Sequence, residues 1–144
     1  KNLRTLHVRM KQHSHNAMYV ANELQNLGLK VYYPGLESHP QHQIMKDQMN
    51  EEFGFGGMVM IDAQSTKKAY ELMEEMQNNN IGYLAVSLGF YKTLFSAPGA
   101  STSSEIPLDV QKEMGLSEGL VRFSVGLDSN IEETFEKIKG CLNL

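Results

Sequence analysis

The sequence predicts one α+β domain, a small sheet of about four strands with helices on one face. Three observations support this. The chain has 144 residues, 41% of them hydrophobic, which suits a single core. Stretches with an apolar residue every three to four positions alternate with short runs that have period two or are unbroken apolar, the pattern of helices interleaved with strands. Finally, Gly54, Gly56 and Gly57 do not continue to a third glycine at the spacing of a phosphate-binding turn, so a doubly wound dinucleotide fold is disfavoured.

The first element is the longest. Leu3, Leu6, Met10, Ala17, Val20, Leu24 and Leu27 recur in steps of three and four, with His13 as the one polar residue on the stripe, which predicts an amphipathic helix ended by Gly28 in the left-handed conformation. Leu29 to Tyr33 then alternates as a half-buried strand until Pro34-Gly35 turns the chain. Ser38 as N-cap and Pro40 in the first turn open a short helix over 41–50. Met58 to Ile61 is continuously apolar and reads as a strand buried on both faces. Ser65 caps a helix with Ala69, Leu72, Met73 and Met76 on one face, closed by Asn78-Asn79-Asn80.

The second half continues the alternation. Ile81 to Leu88 is apolar and stops at Gly89, and Ser96 to Ser104 is rich in Ser, Ala, Gly and Pro, predicting an exposed or functional loop. Pro107 opens a short helix, and Leu120 to Val125 alternates with period two before Gly126. Asn130 with Glu133 forms a capping-box-like start to a last helix whose inner face carries Ile131, Phe135, Ile138 and Leu142.

Charge and composition narrow the function. A net charge of -4 with scattered Lys and Arg gives no basic surface for a phosphate backbone, so no nucleic-acid partner is expected. No apolar run approaches the roughly 20 residues that span a bilayer, so no membrane partner is expected and the chain reads as soluble and cytoplasmic. A single cysteine, Cys141, excludes an internal disulfide and reads as a half-buried residue near a helix end. The chain starts at Lys1 with no strong helix-start signal before Leu3, which suggests a piece of a longer protein.

Arg122 is the most informative residue for chemistry. Its strand is otherwise uncharged, so it either faces solvent or has an anionic partner, because an unpaired buried guanidinium is costly. A carboxylate held by its planar fork in two parallel hydrogen bonds is the functional alternative. His39 and His42 lack the further ligands a metal site needs, the one cysteine being far away in sequence. His13 and His15 read as packing or polar-face residues. No Gly-x-Ser-x-Gly elbow surrounds Ser87. Ser65-Thr66-Lys67 looks superficially like a Schiff-base lysine segment, but Lys67 and Lys68 fall in an exposed first turn rather than a desolvating pocket.

Four segments together resemble the C-terminal region of the cysteine/methionine metabolism family of pyridoxal-phosphate enzymes. They are Leu6-His7-Val8-Arg9-Met10 with His13 to Ala17; Val31 to Leu36 with Ser38-His39-Pro40-Gln41-His42; Gly56-Gly57-Met58; and Ala85-Val86-Ser87-Leu88-Gly89 with Gly115 to Gly126. Within that family Ser87-Leu88-Gly89 resembles the segment that touches the substrate α-carboxylate, and Arg122 the arginine that pairs with it. The chain departs from the commoner pattern after Gly89, where Phe90-Tyr91-Lys92 stand in place of a glycine, an apolar residue and a glutamate. Those residues and Ser101-Thr102-Ser103-Ser104-Glu105 look more like the methionine gamma-lyase branch.

The resemblance implies a mainly antiparallel sheet, as in the C-terminal domain of a fold-type I pyridoxal-phosphate enzyme. It implies a single domain over 1–144, with residues 1–28 a long helix leading to a larger cofactor-binding domain before Lys1. The implied parent is a homotetramer acting on a small amino acid, with Ser87, Leu88 and Arg122 as substrate-binding residues and with pyridoxal 5'-phosphate on a lysine outside this chain. No catalytic, cofactor-binding or metal-binding residue is then expected within the chain. Alternative parents are an O-acetylhomoserine sulfhydrylase, a cystathionine gamma-synthase or a cystathionine lyase. A binding or dimerisation module without catalysis is the alternative from another class.

Overall fold

Helix α1 (Leu6–Asn26) follows a 3-10 turn at Asn2–Thr5 and forms where the first apolar stripe lies. The computed structural model describes residues 2–101 and 103–143; Lys1, Thr102 and Leu144, and with Thr102 one residue of the expected Ser101 to Glu105 loop, fall outside the described residues. Ala17, Val20, Ala21 and Leu24 are buried on one side of α1. The helix ends as expected. Gly28 has φ +85°, the Gly28 N–H donates to Gln25 O and the Leu29 N–H to Leu24 O, so the last carbonyls are satisfied by a glycine-dependent reversal.

The remaining elements are β1 (Val31–Tyr32), α2 (His42–Gln48), a 3-10 turn at Glu51–Phe53, β2 (Met58–Asp62), α3 (Thr66–Asn78), β3 (Gly82–Leu84), β4 (Thr93–Ser96), a 3-10 turn at Pro98–Ala100, α4 (Leu108–Glu113), β5 (Leu120–Ser124) and α5 (Ile131–Cys141). The sheet runs β1-β2-β5-β4-β3. Every neighbouring pair is antiparallel except β3 and β4, and β5 lies at the centre. One face packs on helices. Val59, Ile61, Phe95, Val121 and Phe123 share a core with Val20 and Leu24 of α1, Met73 and Met76 of α3, and Phe135 and Ile138 of α5. Ser65 caps α3 through the Lys68 N–H, and Asn130 caps α5 through the Glu133 N–H, both as expected.

Five details differ from the sequence expectation. The sheet has five strands rather than about four: only Gly82–Leu84 of the apolar run before Gly89 is paired, and Thr93–Ser96 adds a strand. All four β4 residues are buried, so no alternation marks them, and Ser96, Ala97 and Pro98 are buried rather than part of an exposed loop. β2 is not equally buried on both sides; Val59 and Ile61 are buried while Met58 and Met60 are half-buried. Ser38 does not cap α2, because its hydroxyl accepts from Gln25 Nε2 at 2.7 Å and the helix starts after Gln41. Tyr33 leaves the β1 ladder, and its buried hydroxyl donates to Gly56 O at 2.8 Å. Burial pushes that phenol well above its ordinary pKa.

A buried polar cluster ties α1 to the chain leaving β5. His13 Nδ1 lies 2.6 Å from Val125 O, and Asn16 Nδ2 donates to Gly126 O at 3.0 Å and Asp128 O at 2.9 Å. This fixes the end of the central strand against the longest helix, and so fixes where the second face of the sheet points.

Candidate functional site

Alternation along the strands sends every second side chain to the face away from the three long helices. On β5 that face carries Leu120, Arg122 and Ser124, since Val121 and Phe123 belong to the core. Arg122 is paired across the sheet with Met60 on β2 and Ser96 on β4. Its side chain is half-buried, and Nη2 donates to Val86 O at 2.9 Å. Two residues on, Ser124 Oγ accepts the Gly89 N–H at 3.1 Å. Gly89 has φ +65°, a conformation that side-chain-bearing residues adopt rarely.

These two bonds pin the segment 86–89 at both ends to alternate residues of the central strand. Ser87 and Leu88, between the pins, are exposed, Leu88 at 59%. The structure therefore brings the Ser87-Leu88 segment and the Arg122 guanidinium to the same place on the second face. Among the described residues no carboxylate forms an ion pair with Arg122. A guanidinium has five N–H donors, and one is used by Val86. The others suit an anion, and the planar fork suits a carboxylate in particular.

The segment that carries Ser87 exposes several apolar residues. Tyr83, Val86, Leu88, Phe90 and Tyr91 are all exposed; the Phe90 and Tyr91 rings pack at 4.5 Å, and Lys92 Nζ sits 4.8 Å from the centre of the Tyr83 ring. A separate hollow lies elsewhere. It measures about 520 Å3 and runs between the end of β2, α3 and the end of α5, with Leu72, Glu75 and Cys141 in its wall.

The other sequence candidates have local partners. His39 Nδ1 accepts the Gln41 N–H, and His42 lies 2.8 Å from Pro34 O and stacks on Phe55. No group of three or more His, Cys, Asp and Glu side chains gathers for a metal among the described residues. Lys67 pairs with Glu71 one turn on, Lys68 reaches Gln64, and both are exposed. His13 is buried and His15 exposed. The sequence reading missed Val86 O, Ser124 and Ser96. Ser124 was within reach, since period two puts it on the Arg122 face; a main-chain acceptor such as Val86 O leaves no mark in a sequence.

A family model described as Cys/Met metabolism PLP-dependent enzyme matches residues 1–143. The methionine gamma-lyase of Arabidopsis thaliana is 44% identical over 135 residues, covering 93% of this chain and 31% of that protein. A cystathionine beta-lyase of Lactococcus lactis is 38% identical over 146 residues, covering 99% of this chain and 36% of that protein. Among solved structures, a putative O-acetylhomoserine (thiol)-lyase from Campylobacter jejuni, which holds a pyridoxyl-lysine monophosphate, superposes with a TM-score of 0.88 at 29% identity. It covers 99% of this chain and 33% of that one. Yeast cystathionine gamma-lyase gives 0.87 at 30% identity, covering 97% and 35%. The chain thus spans about a third of the length of the relatives it matches.

Proposed function

We propose that this chain, which belongs to the Cys/Met metabolism PLP-dependent enzyme family, is the substrate-carboxylate-binding domain of a methionine gamma-lyase. The parent reaction takes up one water and cleaves methionine to methanethiol, 2-oxobutanoate and ammonia. The observation that carries the reading is Arg122, unpaired by any carboxylate among the described residues and held beside Ser87-Leu88 through Val86 O.

The family depends on pyridoxal phosphate, and the residues of this chain do not fit that group. Its anchoring lysine needs a partly desolvated pocket, whereas no lysine among the described residues is buried. In this reading the cofactor's lysine lies outside these 144 residues.

The chain's own part is orientation. The Arg122 fork donates to both oxygens of the α-carboxylate, and the Ser87-Leu88 segment, pinned by Arg122 and Ser124, borders the same anion. Fixing the carboxylate fixes the rotation of the amino acid about its α-carbon, and such positioning lowers a barrier by several kcal/mol. The exposed apolar residues beside it exclude water once the rest of the enzyme covers them, which strengthens the ion pair. The same resemblance supports a homotetrameric, cytoplasmic enzyme. No helix among the described residues is long and apolar enough to cross a membrane.

The methionine branch is supported by the 44% identity to the Arabidopsis thaliana methionine gamma-lyase. Phe90-Tyr91-Lys92 after Gly89 supports it further. The second reading, an O-acetylhomoserine sulfhydrylase or a cystathionine-processing enzyme, draws on the Campylobacter jejuni structure and the cystathionine lyases. The test is product analysis with the whole enzyme. Methionine alone should yield methanethiol and 2-oxobutanoate in equal amounts. Turnover confined to O-acetylhomoserine plus sulfide, or to cystathionine, would overturn the methionine assignment.

A further inference from the structure

We propose that Ser96 is a positioning residue that fixes the plane of the Arg122 guanidinium when a carboxylate is bound to it. The inference rests on the reading of Arg122 above.

Ser96 is the direct cross-strand partner of Arg122, so the two side chains rise from the same face with Cβ atoms about 4.5–5.5 Å apart. Ser96 is 5% exposed, and its hydroxyl is buried with no hydrogen-bond partner among the described residues. Buried hydroxyls are nearly always bonded, and an orphan is a standing cost to the fold. Valine or alanine would fill a strand position of this kind without that cost. The chain nevertheless has a polar group there, one residue across from its best anion-binding side chain.

The donor inventory gives the hydroxyl something to do. Of five guanidinium N–H groups, one is taken by Val86 O and two are taken by a carboxylate bound at the fork. Two remain, and a serine hydroxyl offers two lone pairs. Val86 itself follows directly on β3, whose Leu84 pairs with Phe95, and the Ala85 N–H donates to Phe95 O at 3.1 Å. Val86, Ser96 and Arg122 are therefore mutual neighbours. With Val86 O on one N–H and Ser96 Oγ on another, the fork is held at two points and cannot swing about its last bonds. Its remaining edge then faces the substrate.

The test uses the whole enzyme with S96A, S96V and S96T, and R122A alongside. S96T and S96V have nearly the same shape and differ by the hydroxyl. KM should rise about tenfold in S96A and S96V, the size of one hydrogen bond to a charged group, with kcat within about twofold. S96T should keep the parent KM. The melting temperature of S96A and S96V should equal or exceed that of the parent, because an orphan hydroxyl has been removed. A residue with a purely structural role would shift the melting temperature and leave KM alone. Equal KM values for S96V and S96T would overturn the proposal. If R122A raises KM while S96V does not, the role of Ser96 fails and the carboxylate reading stands; if R122A leaves KM unchanged, that reading fails first.

Discussion

Cys141 is 6% exposed at the end of α5, and its thiol is pushed up from its ordinary pKa by burial first and by the nearby charge of Glu75 second. Both effects disfavour the thiolate, which is the reactive form. Alkylation by iodoacetamide at neutral pH should therefore be several-fold slower than for a free cysteine derivative; an equal rate would show that the helix end opens readily. At this scale residue type told much but not all. Arg122 stood out because a lone guanidinium in an uncharged strand demands an explanation. Its neighbours were harder to read. Val86 acts through its main chain, and Ser96 sits in four buried residues with no alternation, so neither could be assigned a place from sequence.

The helices were the most legible elements. Their apolar spacing and their caps at Ser65, Asn130 and Gly28 appear where the periodicity places them, because each signal is local: a side chain bonding an N–H three residues away, or a glycine reversing the chain. β3 and β4 were the least legible, since the parallel pairing of two very short strands depends on contacts across the sheet rather than on their own pattern. What holds the elements in register also lay outside a local reading. Asn16 is 0% exposed and satisfies two carbonyls of the segment after β5. Asn16→Ala would leave both without this donor, and buried unsatisfied groups cost about 1–3 kcal/mol each. Urea unfolding of Asn16→Ala should show a loss of about 2 kcal/mol or more. A loss below about 0.5 kcal/mol, the range of an ordinary surface change, would contradict a fastening role for this cluster.

For the whole molecule, the arrangement is a sheet covered by three helices on one face, with Arg122 on the other. The segment 83–91 exposes Tyr83, Val86, Leu88, Phe90 and Tyr91, and the start of α1 exposes Leu6 and Val8. The chain spans about a third of the length of the relatives it matches. On the proposed reading the rest of the enzyme brings the cofactor, and Arg122 holds the substrate acid. Steady-state kinetics of Arg122→Ala in the whole enzyme test this most directly, with circular dichroism to establish that the fold is intact. The account predicts a KM for the amino acid raised about fiftyfold or more, the loss of a charge-assisted pair of roughly 2–3 kcal/mol. A KM within about twofold of the parent, with the fold unchanged, would remove Arg122 from the site and contradict the account.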